Sequence, residues 1–272
     1  MKNLKIEKVH DFWNAESCGE RYAQGNSNFK KFLNEKLNRY KLEPYIKKFA
    51  NFSKLKNKDI LEIGVGFGCD HSLIASNKPK TLTGIDLTER AINNTKARFK
   101  TLGLKSKLKI DNAEKLSFKD ESFDYVYSWG VLHHSPDTKK CFEEVYRVLR
   151  KGGVAKIMIY HKFSPVGWML WIKYGLLNFK PFLSLQSIYD KYLESPGTKA
   201  YTINEAFDLL KPFKKKQINV QLSFADLLEG KVGIRHKGLM IKLARYIYPK
   251  KFIIFISKIF PIGLYLLITV HK

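Results

Sequence analysis

Cysteine is scarce in this chain: three residues, Cys18, Cys69 and Cys141, an odd number with no CxxC spacing. That excludes a disulfide framework or a zinc ribbon and leaves free thiols in a reducing compartment as the expectation. Long apolar runs are missing as well. The longest uncharged stretch, Ile259 to Val270, has 12 residues and contains Pro261 and Gly263, against about 18 to 20 apolar residues for a spanning helix, so no transmembrane segment is expected. The first eight residues carry charges where a secretory leader needs apolar side chains, so the cytoplasm is the expected location. Arginine is also short, at eight of 49 basic residues. Nucleic-acid recognition favours the planar guanidinium, and there is no aromatic-plus-arginine stripe, so no specific nucleic-acid partner is expected despite a net charge of +24.

What is present is globular. Hydrophobic residues make up 44% and charged residues 27% of the chain, close to the average for folded domains. Residues 1–58 are polar and aromatic without strand alternation, and read as short helices and turns packed over something else. From Asp59 the texture changes. Ile60–Ile63, Thr81–Ile85, Lys107–Ile110, Phe123–Ser128 and Val154–Tyr160 read as strands. Helical patterns lie between them over Glu89–Leu102 and Thr138–Leu149, the second closed by Gly152 and Gly153. Lys216–Phe224 and Gly263–His271 add two further strands. The fold class is therefore α/β: a doubly wound, mostly parallel seven-stranded sheet with an antiparallel last strand. A single domain is expected over 1–272, divided into an N-terminal lid (1–58), a cofactor-binding core (59–160) and acceptor-side segments with a basic helical insertion before the last strand (161–272). Over residues 211–272 there are 13 bases against two acids, so the charge concentrates toward the C-terminus.

Glu62-Ile-Gly64-Val-Gly66-Phe-Gly68 follows a strand and precedes a helix, where glycines let a ligand approach the backbone. Asp86 closes the next strand 18 residues after Gly68, a position from which a carboxylate can accept from both hydroxyls of a ribose. The run Asp59–Gly68, with Gly84-Ile-Asp86-Leu87, Asn112–Phe118, Phe123–His134 and Arg147–Gly153, resembles in order the motifs of class I S-adenosylmethionine-dependent methyltransferases of the bacterial small-molecule type. The resemblance implies S-adenosylmethionine as methyl donor, and the scattered spacing of His10, His161 and Cys18, without HxxxH or CxxC regularity, leaves no metal expected. The resemblance also implies that Glu62 and the amides of Gly64, Gly66 and Gly68 hold the methionine portion, that Asp86 takes the ribose, and that Leu87, Asn112 and the Ala113 amide meet the adenine. Asp111 can share the role of Asn112.

Methyl transfer from a sulfonium is an in-line displacement that depends mostly on positioning. His133 and His134, in the loop after the fourth strand, stand where a base would serve, or are packing and hydrogen-bonding residues. Trp129 and Tyr127 flank the expected methyl position. From the lid, Trp13 and Tyr22 either close over the cofactor or pack in the core, and Arg21 is a candidate partner for its carboxylate. The expected partner is a small-molecule acceptor, a thiol or sulfide first. The alternative is a quinone or lipid at the membrane surface, reached through peripheral contact of the basic, apolar stretch 239–260 with anionic lipid. RNA or protein methylation and non-catalytic cofactor binding rank below these.

Overall fold

A computed structural model describes residues 2–230, 246 and 248–272. Seven strands, β1 (Asp59–Ile63), β2 (Thr81–Asp86), β3 (Lys107–Ile110), β4 (Phe123–Trp129), β5 (Leu149–Tyr160), β6 (Lys215–Gln221) and β7 (Tyr265–His271), form a sheet in the order 3-2-1-4-5-7-6. β7 is antiparallel to both of its neighbours, and the other pairings are parallel. The helices are α1 (Lys2–Ala15), α2 (Asn28–Leu42), α3 (Ile46–Ala50), α4 (Cys69–Ser76), α5 (Glu89–Leu102), α6 (Thr138–Val148), α7 (Pro165–Tyr174), α8 (Leu185–Ile188), α9 (Ile203–Leu209) and α10 (Lys250–Ile259).

All five residues of β1 are buried, as a central strand covered on both faces requires. Leu61 and Ile63 point into one core with Val126, Phe142, Val145 and Ile157, whereas Ile60 points into the other with Tyr125, Tyr127, Ile74 and Phe99. Helix starts are set by short polar caps. Thr88 accepts from Ala91 N, Asp137 from Lys140 N, and Ser164 from Gly167 N ahead of Pro165. Thr202 and Glu205 form a reciprocal capping box at α9.

Two expectations need correction. The N-terminal segment forms two full helices, α1 and α2, of 14 and 15 residues rather than short ones. On α2, Phe32 and Glu35 are buried three residues apart on one face, and Glu35 pairs with the buried Arg98 of α5, which fixes the helix on the core. Gly152 and Gly153 do not end a helix. They lie inside β5 as a bulge, with Gly152 at φ 78° between the pairings Phe123–Leu149 and Tyr125–Val154. Of the stretch 239–260, Leu239–Arg245 and Ile247 lie outside the described residues. Among the described residues, no helix is long and apolar enough to cross a membrane.

Strand register aligns the ends that matter. Ile63 stands opposite Ile85 and Ser128, Asp86 opposite Ile110, and Trp129 opposite Met158. The loops after β1, β2, β3 and β4 therefore open on one carboxyl edge, the place where ligands bind in such sheets. α8 continues into a π-helical turn, Tyr189–Leu193, which delivers Glu194–Thr198 to the same edge beside His134.

Candidate functional site

A cavity enclosing about 1120 Å³ of empty space, part of it open to solvent, lies along this edge under the N-terminal lid. Its wall includes Glu62, Gly64, Gly66, Asp86, Leu87, Asn112, Ala113, Trp13, Trp129 and His134. Gly68, Arg21, Tyr22 and His133 are not part of that wall.

The glycine turn is shaped by close approaches. A Cβ on Gly64 (φ 83°) would stand 2.1 Å from Val131 Cγ2, so this glycine lets the loops after β1 and β4 touch. A Cβ on Gly66 (φ 53°) would stand in ordinary van der Waals contact with Cys18, 3.5 Å from its carbonyl oxygen, so the turn passes close to the lid here. The amides expected to hold a ligand are already engaged. Gly64 N donates to Ile85 O (2.8 Å), Gly68 N to Val65 O (2.8 Å) and Gly66 N to Asp86 Oδ2 (3.1 Å). Gly68 caps α4. The turn thus offers close approach more than free donors.

Asp86 Oδ1 accepts from Thr88 N (3.0 Å) and Thr88 Oγ1 (2.9 Å). Burial raises its carboxyl above the ordinary value, against the pull of these donors and the Gly66 amide. At the next loop, Asn112 Oδ1 accepts from Glu114 N (2.9 Å), while Asp111 is tied to Asn112 N and to Ser117 N and Oγ. Both side chains therefore set the loop that carries Ala113.

Beneath the turn lies a proton chain. Ser106 Oγ donates to Leu82 O (3.0 Å), so the His71 Nε2 hydrogen faces Ser106 (2.7 Å) and His71 Nδ1 is left to accept from Glu62 Oε2 at 2.8 Å. A neutral pair results. Burial, then the nearby Asp70, pushes Glu62 well above the carboxylate range, and burial lowers His71 to about 3.

Sequence reasoning missed Arg39, Asp70 and Glu43. From α2, Arg39 grips Asp70 of α4 through Nε (2.9 Å) and Nη2 and reaches Glu43 Oε2 at 3.2 Å. Tyr40 and Tyr127 also donate to Asp70. Burial raises the Asp70 carboxyl, but the Arg39 charge and these donors hold it below its ordinary value. Arg39 and Asp70 both line the cavity. An acid in the first turn of a helix is a recognised local signal; Arg39 carried none.

At the far end, Trp129 packs against Tyr45, Phe49 and Tyr265, with ring centroids 6.1, 5.9 and 5.6 Å away. Trp13 of the lid meets His134 edge-on at 5.2 Å. His134 Nδ1 bonds Ser195 Oγ (2.8 Å) and Thr198 Oγ1 (3.1 Å), and its Nε2 stands 3.5 Å from Glu194 Oε2. Glu194 accepts from Tyr160 at 2.6 Å; burial raises its carboxyl, but His134 and Tyr160 hold it below the usual range. His133 differs. It is fully buried against Tyr160, with ring centroids 3.9 Å apart, neither ring nitrogen has a hydrogen-bond partner, and burial keeps it well below the usual histidine range. It does not line the cavity.

Cys18 is exposed and lines the cavity; desolvation by the protein around it pushes its thiol up to about 12, with the Arg39 charge opposing the rise and Glu194 and Glu43 adding to it. Arg21 pairs with Glu16 at 3.4 Å. Tyr22 lines a separate cleft with Asn38, Leu42 and Glu229. The donor atoms of His133, His134 and Glu194 lie within 4.8 Å of one another. Ligands on a zinc ion stand only about 3.4 Å apart, so these side chains would have to draw together to hold one.

Residues 61–157 match the family model described as a methyltransferase domain. Among curated relatives, phosphoethanolamine N-methyltransferase 2 of Caenorhabditis elegans is 34% identical over 118 residues, 43% of this chain and 26% of that protein. The 24-methylenesterol C-methyltransferase 2 of Oryza sativa is 32% identical over 97 residues, 35% of this chain and 27% of that protein. The chain thus spans about a quarter of the length of these relatives. A solved SAM-dependent methyltransferase of Thermotoga maritima shares the fold over 90% of this chain and 98% of its own, with a TM-score of 0.52 at 20% identity. The methyltransferase domain supplies the glycine turn, Asp86, the Asn112 loop and Trp129. The lid, Glu43 and Glu194 lie outside it.

Proposed function

We propose that the chain is an S-adenosylmethionine-dependent methyltransferase acting on a small molecule held between the lid and the ends of β4 and β5. The observation that carries this reading is the cavity itself, whose wall brings Asp86, Gly66, Leu87 and Ala113 together with Cys18, Trp129 and His134. The wall fits the donor chemically, with a carboxylate for ribose hydroxyls, small apolar residues for adenine, and Glu62 beside Arg39 for an ammonium and a carboxylate. Three of the Arg39 nitrogens are engaged, leaving two of its five N–H hydrogens for a ligand. Arg39 replaces Arg21 in that role, because Arg39 lines the cavity and Arg21 does not. The bound donor supplies a methyl group on a sulfonium. The aromatic faces of Trp13 and Trp129 favour that cation and keep water away.

His134, oriented by Ser195 and Thr198 and backed by Glu194, is the candidate to take a proton from the acceptor. Desolvation at this end bears on the acceptor. Cys18 serves as an internal probe, since desolvation pushes its thiol up although the Arg39 charge opposes the rise. Desolvation disfavours a thiolate and favours the neutral, nucleophilic form of an amine, so an amine nitrogen takes precedence over the thiol or sulfide that the sequence puts first. The test is S-adenosylhomocysteine release with separate amine, thiol, phenol and lipid pools. Release with amines is expected, and His134→Ala and Glu194→Gln should lower kcat about 10²-fold or more with unchanged donor affinity. Release confined to thiols would overturn the amine assignment. Donor binding without release from any pool would overturn the enzyme reading.

A further inference from the structure

Two segments outside the cavity expose apolar side chains that do nothing for the fold. After α7, Leu176, Leu177, Phe179 and Phe182 face solvent, with Phe179 94% and Phe182 99% exposed. Phe179 holds a left-handed backbone conformation (φ 55°), unusual for a bulky residue that packs against nothing. α10 buries none of its ten residues, and Phe252, Phe255 and Ile259, one helical face, are more than half exposed with Phe260. Single exposed apolar residues are ordinary; two clustered runs of them mark an interaction site.

Both segments leave one buried anchor. Asp226 accepts from Val166 N at the start of α7 (3.1 Å) and from Leu264 N just before β7 (2.7 Å), and its carbonyl accepts from Tyr248 Oη just before α10 (2.8 Å). Gly263 N also donates to Phe163 O (3.2 Å). The start of α7 and the chain on either side of α10 therefore converge on Asp226, near the ends of β5 and β7 that carry Tyr160 and Tyr265, the neighbours of His133 and Trp129.

The charge on these segments has one sign. Lys173, Lys180, Lys251 and Lys258 are exposed among them, Lys250 is paired with Glu229, and the sequence has no acid over 163–189 or after Glu229. A second copy of the chain would set these lysines against their own kind, whereas anionic headgroups complement them while phenylalanine rings enter the acyl boundary. We propose that the post-α7 segment and α10 together dock the protein on an anionic lipid bilayer, with the acceptor end of the cavity turned toward the membrane. This surface is independent of the methyl-transfer reading and is tested without turnover.

The full chain is floated with vesicles of phosphatidylcholine, alone or mixed with phosphatidylglycerol, at low and high salt. Partition onto the anionic vesicles should exceed that onto neutral ones by more than about tenfold and collapse at high salt. Phe179→Ser with Phe182→Ser should lower it about tenfold or more. Lys251→Glu with Lys258→Glu should lower it at least about 25-fold, at about fivefold per lysine. Both pairs should melt as the wild type does. No flotation with anionic vesicles at low salt would overturn the proposal, as would partition indifferent to both pairs. Self-association lost in the Phe179/Phe182 pair, without lipid binding, would instead give the face to a second copy.

Discussion

Replacing Asp86 with alanine separates a ribose-binding carboxylate from a merely structural one. Asp86 accepts from Gly66 N, Thr88 N and Thr88 Oγ1 at 3.1, 3.0 and 2.9 Å, so the variant strands two backbone donors. It should lose about 1 to 3 kcal/mol of stability for each donor that water does not reach. Two further bonds, from the ribose hydroxyls to the carboxylate, exist only with ligand present. Their loss weakens binding by about 2 to 4 kcal/mol, roughly 30- to 900-fold. Calorimetry with S-adenosylhomocysteine reads this directly, with far-UV circular dichroism to establish folding. Because burial raises the Asp86 pKa, wild-type affinity should also fall as pH drops through that raised value, and the variant should lack this dependence. A folded Asp86→Ala protein with wild-type affinity would refute the placement of the ribose.

Other perturbations read other parts of the molecule. Arg98→Ala leaves the Glu35 carboxylate, 2% exposed, without its partner and should cost about 3 to 5 kcal/mol in urea unfolding, most of it recovered by adding Glu35→Leu; an unchanged midpoint would count against the pairing. His133 is held neutral by burial, so its contribution is complete above the unfolded value near 6.5 and is lost as pH falls. His133→Phe should therefore remove about 1 kcal/mol of the stability lost between about pH 6.5 and 5.5 and leave turnover at pH 7.5 intact; a folded variant without turnover would restore His133 to the reaction. Gly66→Ala meets no neighbour closer than 3.5 Å and should cost about 1 kcal/mol in folding while weakening donor binding more than about tenfold. Equal affinity would place the donor elsewhere.

The sheet was legible in the sequence because buried parallel strands are written as short apolar runs, and β1 to β4 follow them within a residue or so. The glycine turn and Asp86 were legible because strand, turn and helix are contiguous in sequence. What stayed hidden depends on long-range geometry. Arg39 meets Asp70 across 31 residues, and neither carries a local pattern naming the other. Tyr22 and Arg21 lie near Cys18 in sequence, but a short 3₁₀ turn (Glu20–Tyr22) after Gly19 (φ 87°) diverts them from the cavity wall. His133 and His134 look interchangeable as a dipeptide. The fold buries one against Tyr160 and turns the other to the cavity.

The split between matched and unmatched residues bears on the acceptor. The segment matched by the family model, residues 61–157, contains the glycine turn, Asp86 and Asn112, and proteins named for N-methylation of phosphoethanolamine and C-methylation of a sterol are about equally identical to this chain, at 34% and 32%. On the proposed reading, Trp13 and Cys18 line the acceptor end from before that segment, and Glu43, Tyr45, Tyr160, Glu194 and Tyr265 stand behind the wall. Arg39 joins the two sets, because one guanidinium holds Asp70 of the shared domain and Glu43 of the lid. Lid position and acceptor environment are therefore coupled through a buried ion cluster, and such clusters tolerate loss of one partner poorly. It follows that no relative's acceptor transfers to this chain through the matched segment alone.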